Sequence, residues 1–191
     1  MIVDEDELGF GWLDPEDRLE RCSHALLVEG AVWVVDPLEA DGVEARVRGL
    51  GEPAGVVQLL DRHRRDCAAW ATRLGVPLHV VPIAGPPFDL VPLVQRRWWR
   101  EVALWWPERR VLVCADALGT ATYYRAGDDQ LAVHPMLRLR PPRRLRALEP
   151  EHVLCGHGAG VHENATVALR EALATARRRL PRAWLAALRR G

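Results

Sequence analysis

Short apolar runs alternate with helix-period stripes along the chain, and no segment repeats. The run from Ser23 to Asp36, broken only at Glu29-Gly30, predicts a hairpin closed by a tight turn. A short apolar strand at Gly55-Val56-Val57-Gln58 lies between helical patterns over Val43 to Leu50 and Arg64 to Leu74. Leu78 to Val81 reads as a short strand, and the proline-rich stretch from Pro82 to Pro92 as an irregular connection. Val102 to Asp116 predicts a second hairpin, Pro141 to Leu148 a short helix begun by its prolines, and His152 to Cys155 a buried strand. Leu169, Leu173, Ala176 and Leu180 mark an amphipathic helix that starts near His162 or Glu163 and stops before Pro181, with another short helix over Arg182 to Arg190. The alternation of both element types predicts an α/β (α+β) fold.

Composition narrows the class. The chain has 191 residues, 49% of them hydrophobic, enough for one domain with a sizeable core. Residues 1–22 read as an acidic N-terminal segment and residues 23–191 as the domain. No window approaches the ~18 uninterrupted apolar residues of a membrane span, and the acidic start lacks the regions of a signal peptide, so a cytoplasmic protein without membrane contact is expected. Formal net charge is zero, which argues against general nucleic-acid binding. The basic runs at Arg138 to Arg146 and Arg177 to Arg179 read as solvated faces or partners of the acidic start. Cys22, Cys67, Cys114 and Cys155 are widely spaced, without a Cys-x-x-Cys pair, and suggest neither a disulfide framework nor a zinc ribbon.

Three segments hold residues suited to chemistry. Leu59-Leu60-Asp61-Arg62-His63-Arg64-Arg65-Asp66-Cys67 joins a strand to a helix, Cys114-Ala115-Asp116 ends the second hairpin, and Cys155-Gly156-His157-Gly158 follows a strand. In this order they resemble the metallo-β-lactamase superfamily, over about Ser23 to Leu173. The resemblance implies a four-layer αββα sandwich with its site at one edge of two sheets. It also implies a His-x-His-x-Asp-His turn, a later metal-bridging Asp and a Gly-His-Gly end. Arg62 and Arg64 then stand where the first two histidines belong, and Cys67 where the third does. His63 falls at a spacer position, whose side chain in an extended segment points away from Arg62 and Arg64. Residues 91–99, where the family carries a further histidine, contain none. Arginine stays protonated and offers no lone pair, so the first metal site has lost its ligands. Asp66, Cys67, Asp116 and His157 remain as candidate ligands of a second site, a set that zinc accepts. Cys67 also fits the apolar stripe of a helix with Trp70, Ala71 and Leu74, where a free cysteine is a small core residue. No cofactor is therefore expected, with one zinc as the alternative.

Arg62 and Arg64 either neutralise Asp66 and Asp116 in place of metal or simply reach solvent. Convergence of Asp66, Asp116 and His157, with Arg62 or Arg64 within ion-pair reach, is the geometric expectation. The candidate cluster is thus Asp66, Asp116, His157, Arg62, Arg64 and His63, with no catalytic residue assigned. Trp98, Trp99, Trp105 and Trp106 form two adjacent pairs, each predicted to send one indole inward and one outward. An outward indole beside arginine suits a small organic anion, or packs under a neighbouring element. Two functions follow from the resemblance. One is a ligand-binding or interaction module without two-metal hydrolysis; the other is a single-metal hydrolase of an ester, lactone or thioester.

Overall fold

The structure, a computed structural model, describes residues 1–14, 16–125 and 127–180; the short helix expected over residues 182–190 lies outside them. Twelve strands and three α-helices are assigned among the described residues. The first hairpin forms from β3 (Cys22–Val28) and β4 (Ala31–Val35). Glu29 and Gly30 both take positive φ, 52° and 83°, as a two-residue turn matched to strand twist requires. β1 (Ile2–Asp6) and β2 (Gly9–Leu13) extend the same sheet on one side, so the acidic N-terminal residues are strands of this sheet and not a segment apart. β5 (Glu52–Gln58) and β6 (Leu78–Val80) add in parallel on the other side, giving six strands in sequence order. Between them run α1 (Val43–Leu50) and α2 (Cys67–Leu74).

The second sheet pairs β7 (Asp89–Arg96), β8 (Trp99–Trp106), β9 (Val111–Cys114) and β12 (His152–Cys155) in the order β12-β9-β8-β7. β7 corrects the irregular connection expected over residues 82–92. Pro92 is tolerated inside it because β7 is an edge strand, where one missing N–H breaks no ladder on the outer side. A short ribbon, β10 (Leu118–Gly119) with β11 (Ala132–Val133), and α3 (Ala165–Thr175) complete the fold.

Two apolar layers hold these pieces together. Leu26, Val35 and Val57 of the first sheet share a buried cluster with Leu104, Leu112 and Val113 of the second, and α3 adds Leu169 and Leu173. Val32, Val34 and Val56 share another with Val47 of α1 and Trp70 of α2. Helix, sheet, sheet and helix therefore stack as an αββα sandwich. All four cysteines are free and buried. Trp99 and Trp106 are buried, Trp105 is half-buried, and Trp98, in the turn before β8, is exposed.

One side chain ties the two sheets at the site edge. Arg65 donates from Nη1 to the carbonyls of Cys22 and Asp36, at 2.5 and 2.9 Å, and from Nη2 to that of Gly156 at 2.8 Å. The three acceptors belong to the start of β3, the end of β4 and the loop after β12. Arg65 takes positive φ, 42°, so helical geometry cannot begin before it; α2 starts at Cys67 and not at Arg64. Arg65→Leu is expected to remove three charge-assisted hydrogen bonds across the sheet edge and to lower unfolding free energy by about 3 kcal/mol in urea titration with an unchanged slope. A loss below about 1 kcal/mol would mean that other groups hold the two sheets here.

Candidate functional site

β9 and β12 run parallel with Cys114 opposite Cys155, so both leave the sheet at the same edge. Asp116 follows the first strand by two residues and His157 follows the second by two. Gly156 donates to the carbonyl of Cys114 at 2.8 Å, which turns the chain over the strand end. Gly158 has φ 83°, and a Cβ there would stand 2.2 Å from Thr120 Oγ1, so only glycine lets the imidazole of His157 reach the edge. From the first sheet, the turn after β5 brings Arg62 and His63 to the same place.

Asp116 is the hub. Its Oδ1 lies 3.1 Å from His157 Nε2 and 3.2 Å from His63 Nε2, and its Oδ2 lies 3.4 Å from Arg62 Nη2. Tyr124 Oη donates to Oδ1 at 3.5 Å. Burial alone would raise the Asp116 carboxyl; the hydrogen bond to His157, with His63 and His134 nearby, outweighs it and holds the pKa at about 2. Burial pushes the His63 imidazole down to about 3, so it is neutral at pH 7. The guanidinium of Arg62 lies 4.3 Å over the Trp99 ring with 40% of its side chain exposed, a cation that faces both the carboxylate and solvent.

Asp116, His157, His63 and Arg62 thus meet, whereas three other candidates lie apart. Asp66 accepts from the backbone N–H of Glu39 at 2.8 Å, away from this group. Cys67 packs with Trp12 and Trp70 on the buried face of α2, and burial pushes its thiol up. Arg64 is exposed and lines an open groove with Asp61, Arg65, Asp66 and Arg100. His63 corrects the spacer expectation: residues 61–66 form turns, with His63 N–H donating to Leu60 O at 3.1 Å, and strand alternation does not govern them. His157 Nδ1 faces the carbonyl of Leu19 at 2.8 Å and must donate to it, which leaves the lone pair of a neutral imidazole on Nε2. That lone pair points at an anionic oxygen, a contact that only a proton or a metal ion makes favourable. His63, Asp116 and His157 each offer one donor atom, all within 4.8 Å of one another. They fit one ion with two imidazoles and one carboxylate. Asp66 and Cys67 are engaged elsewhere and are not part of this group.

Three functional side chains escaped the reading of the sequence. Glu101 is fully buried; its Oε1 accepts from the backbone N–H of Asp116 and of Ala117, at 3.0 and 2.8 Å, and its Oε2 from Trp99 Nε1 at 2.9 Å. This carboxyl fixes the backbone that presents Asp116. Its sequence signal was a lone acidic residue on the inward face of an apolar strand, in phase with Trp99 and Ala103. His134 and Tyr124 come from the connection between β10 and β12 and stack near Trp99 and His157, with ring centroids 5.0 and 5.6 Å away respectively. No pattern marks them in the sequence.

The two sheets, their flanking helices and the site at the ends of β9 and β12 define a protein of the metallo-β-lactamase fold. Among solved structures, DIM-1 metallo-beta-lactamase is 14% identical, with a TM-score of 0.63 over 92% of this chain and 96% of that one. BLEG-1 B3 metallo-beta-lactamase is 13% identical, with a TM-score of 0.55 over 79% and 93%. The flavodiiron protein from Giardia intestinalis is 11% identical, with a TM-score of 0.60 over 93% of this chain and 59% of that one. At these identities the likeness is one of fold. No family model matches the chain, and no curated protein does. Among the described residues, no helix is long and apolar enough to cross a membrane.

Burial, then the charge of Asp116, pushes the Glu101 carboxyl up to about 8, against the three N–H donors that favour its anion. An acid whose pKa is raised on folding contributes stability below its ordinary pKa and loses it as pH rises toward the folded value. Glu101→Gln keeps the acceptor for Asp116 and Ala117 but not that for Trp99. Its cost in denaturant unfolding is therefore expected to be larger near pH 5 than near pH 8; a cost independent of pH would show that Glu101 is ionised throughout.

Proposed function

We propose that this protein keeps the sandwich but not two-metal hydrolysis, and works as a binding module whose edge site holds at most one divalent ion and a small organic anion. The observation that carries this reading is the composition of the cluster: His63, Asp116 and His157 suffice for one ion, and Asp66 and Cys67 face elsewhere. Arg62 supplies the charge for the anion, stacked on Trp99 so that its guanidinium is oriented before binding. Asp116 holds Arg62 and both imidazoles together, and Glu101 and the carbonyl of Leu19 hold Asp116 and His157 in place.

A second reading is a single-metal hydrolase of an ester, lactone or thioester, favoured by the three-ligand set, which is the number that catalytic zinc sites use. When bound, a divalent ion supplies Lewis acidity and a water of lowered pKa. Here His63, Asp116 and His157 would hold the ion, and Arg62 would bind the substrate's carboxylate or developing negative charge.

Equilibrium dialysis against Zn²⁺, paired with chelator-controlled assays on ester, lactone and thioester substrates, separates the readings. The expected result is that His63→Ala with His157→Ala removes no more than one zinc per chain, and that the parent shows no chelator-sensitive turnover. Loss of two ions together would overturn the reading. Chelator-sensitive turnover abolished by His157→Ala would establish the hydrolase instead.

A further inference from the structure

We propose that Asp6, His152 and His162 form a second site, for a divalent transition-metal ion such as Zn²⁺, at the end of β12 opposite His157. His152 opens β12 and His157 lies just past its other end, so the two sites share no ligand. Asp6, His152 and His162 each offer one donor atom, and these lie within 4.8 Å of one another. His152 Nδ1 and His162 Nδ1 stand 2.9 Å apart, with the two rings tilted by 58°.

What raises this group above a pair of hydrogen-bonded histidines is the support behind it. His162 Nε2 lies 3.0 Å from Asp4 Oδ1, and an ionised carboxylate only accepts, so the proton of neutral His162 is on Nε2 and its lone pair is on Nδ1. That lone pair is aimed at His152. A carboxylate that takes the far N–H of an imidazole, fixing its tautomer and ring plane, is the usual partner of a metal-bound histidine. Asp4 is itself immobilised: its side chain is 4% exposed, and both of its oxygens accept from the backbone N–H of Gly160, at 2.8 and 2.9 Å. A Cβ on Gly160 would stand 2.9 Å from His162 Nε2 and 3.1 Å from Asp4 Oδ1, so glycine is needed for this approach. Asp4 also holds left-handed backbone, φ 52°, at a register shift between β1 and β2, a local strain that presents Asp4 and Asp6 toward the two histidines. His152 and His162 border an open groove of about 430 Å³, which leaves an approach for the ion and for water to complete its coordination. Two imidazoles and a carboxylate select zinc-like ions over calcium or magnesium.

The test is equilibrium dialysis of the His63→Ala/His157→Ala variant against Zn²⁺, which removes the edge site from the count whatever that site binds. About one zinc per chain is expected to remain. Asp6→Asn, which keeps the Oδ1 acceptor for the N–H of Leu8, should weaken it at least ~10-fold, and Asp4→Asn by roughly 10–100-fold through the tautomer of His162. Asparagine tolerates the left-handed backbone of Asp4. Should the double variant not fold, Asp6→Asn in the otherwise unaltered chain should weaken the binding of one zinc per chain by the same factor. No zinc in the double variant, or zinc binding indifferent to Asp6→Asn, would overturn the proposal.

Discussion

The guanidinium of Arg65 bridges carbonyls from the two sheets, and the geometry of the site edge depends on it. The carbonyls of Cys22, Asp36 and Gly156 lie at or just past the ends of three strands, and one cation meets all three. Fixing Arg65 fixes the turn before it, and the turn decides what reaches Asp116. With Arg65 folded inward under left-handed backbone, Arg62 and His63 project toward the second sheet, Arg64 projects to solvent, and Asp66 is left beside Glu39. Three neighbouring arginines thus do three different things: one spans the sheets, one meets a carboxylate, and one is exposed.

Charge around Asp116 and Glu101 is arranged in two tiers. The outer carboxylate is surrounded by donors and stays ionised, while the inner one, fully buried behind it, is pushed toward its neutral form. Two carboxyls this near each other cannot both be ionised cheaply in a dry setting, and the outer one, beside Arg62, His63 and His157, is the better placed to carry the charge. The arrangement gives the edge a single strong anionic point flanked by one exposed cation. At the other end of β12 the arrangement differs, with the buried carboxylate of Asp4 standing behind His162.

Much of the architecture was legible in the sequence because apolar runs and turn residues sufficed. Both hairpins, α1, the β12 strand and the Gly-His-Gly turn follow from local pattern, and the order of Asp116 and His157 was enough to suggest the fold. β7 was hidden by its prolines, which an edge strand accepts and a central one does not. The orientation of His63 was misjudged because alternation applies to extended chain, whereas residues 61–66 turn. Asp66 was expected at the cluster by resemblance, yet its position depends on where Arg65 is anchored, a contact made across the whole fold. Glu101 could have been noticed as a charge on an inward face. His134 and Tyr124 could not, since long connections bring them in.

The burial of all four cysteines gives the molecule a built-in reporter. Each thiol sits in packed interior, and burial is the main cause that raises its pKa, so the thiolate that reacts with alkylating agents is scarce in the folded state. Cys67 lies on the buried face of α2, Cys22 at the start of β3, and Cys114 and Cys155 side by side at the ends of two parallel strands. Alkylation therefore proceeds through opening of the surrounding structure, and each sulfur times a different part of it. Without any added label, the chain carries four clocks, one on the buried face of a helix and three along the seam between its two sheets.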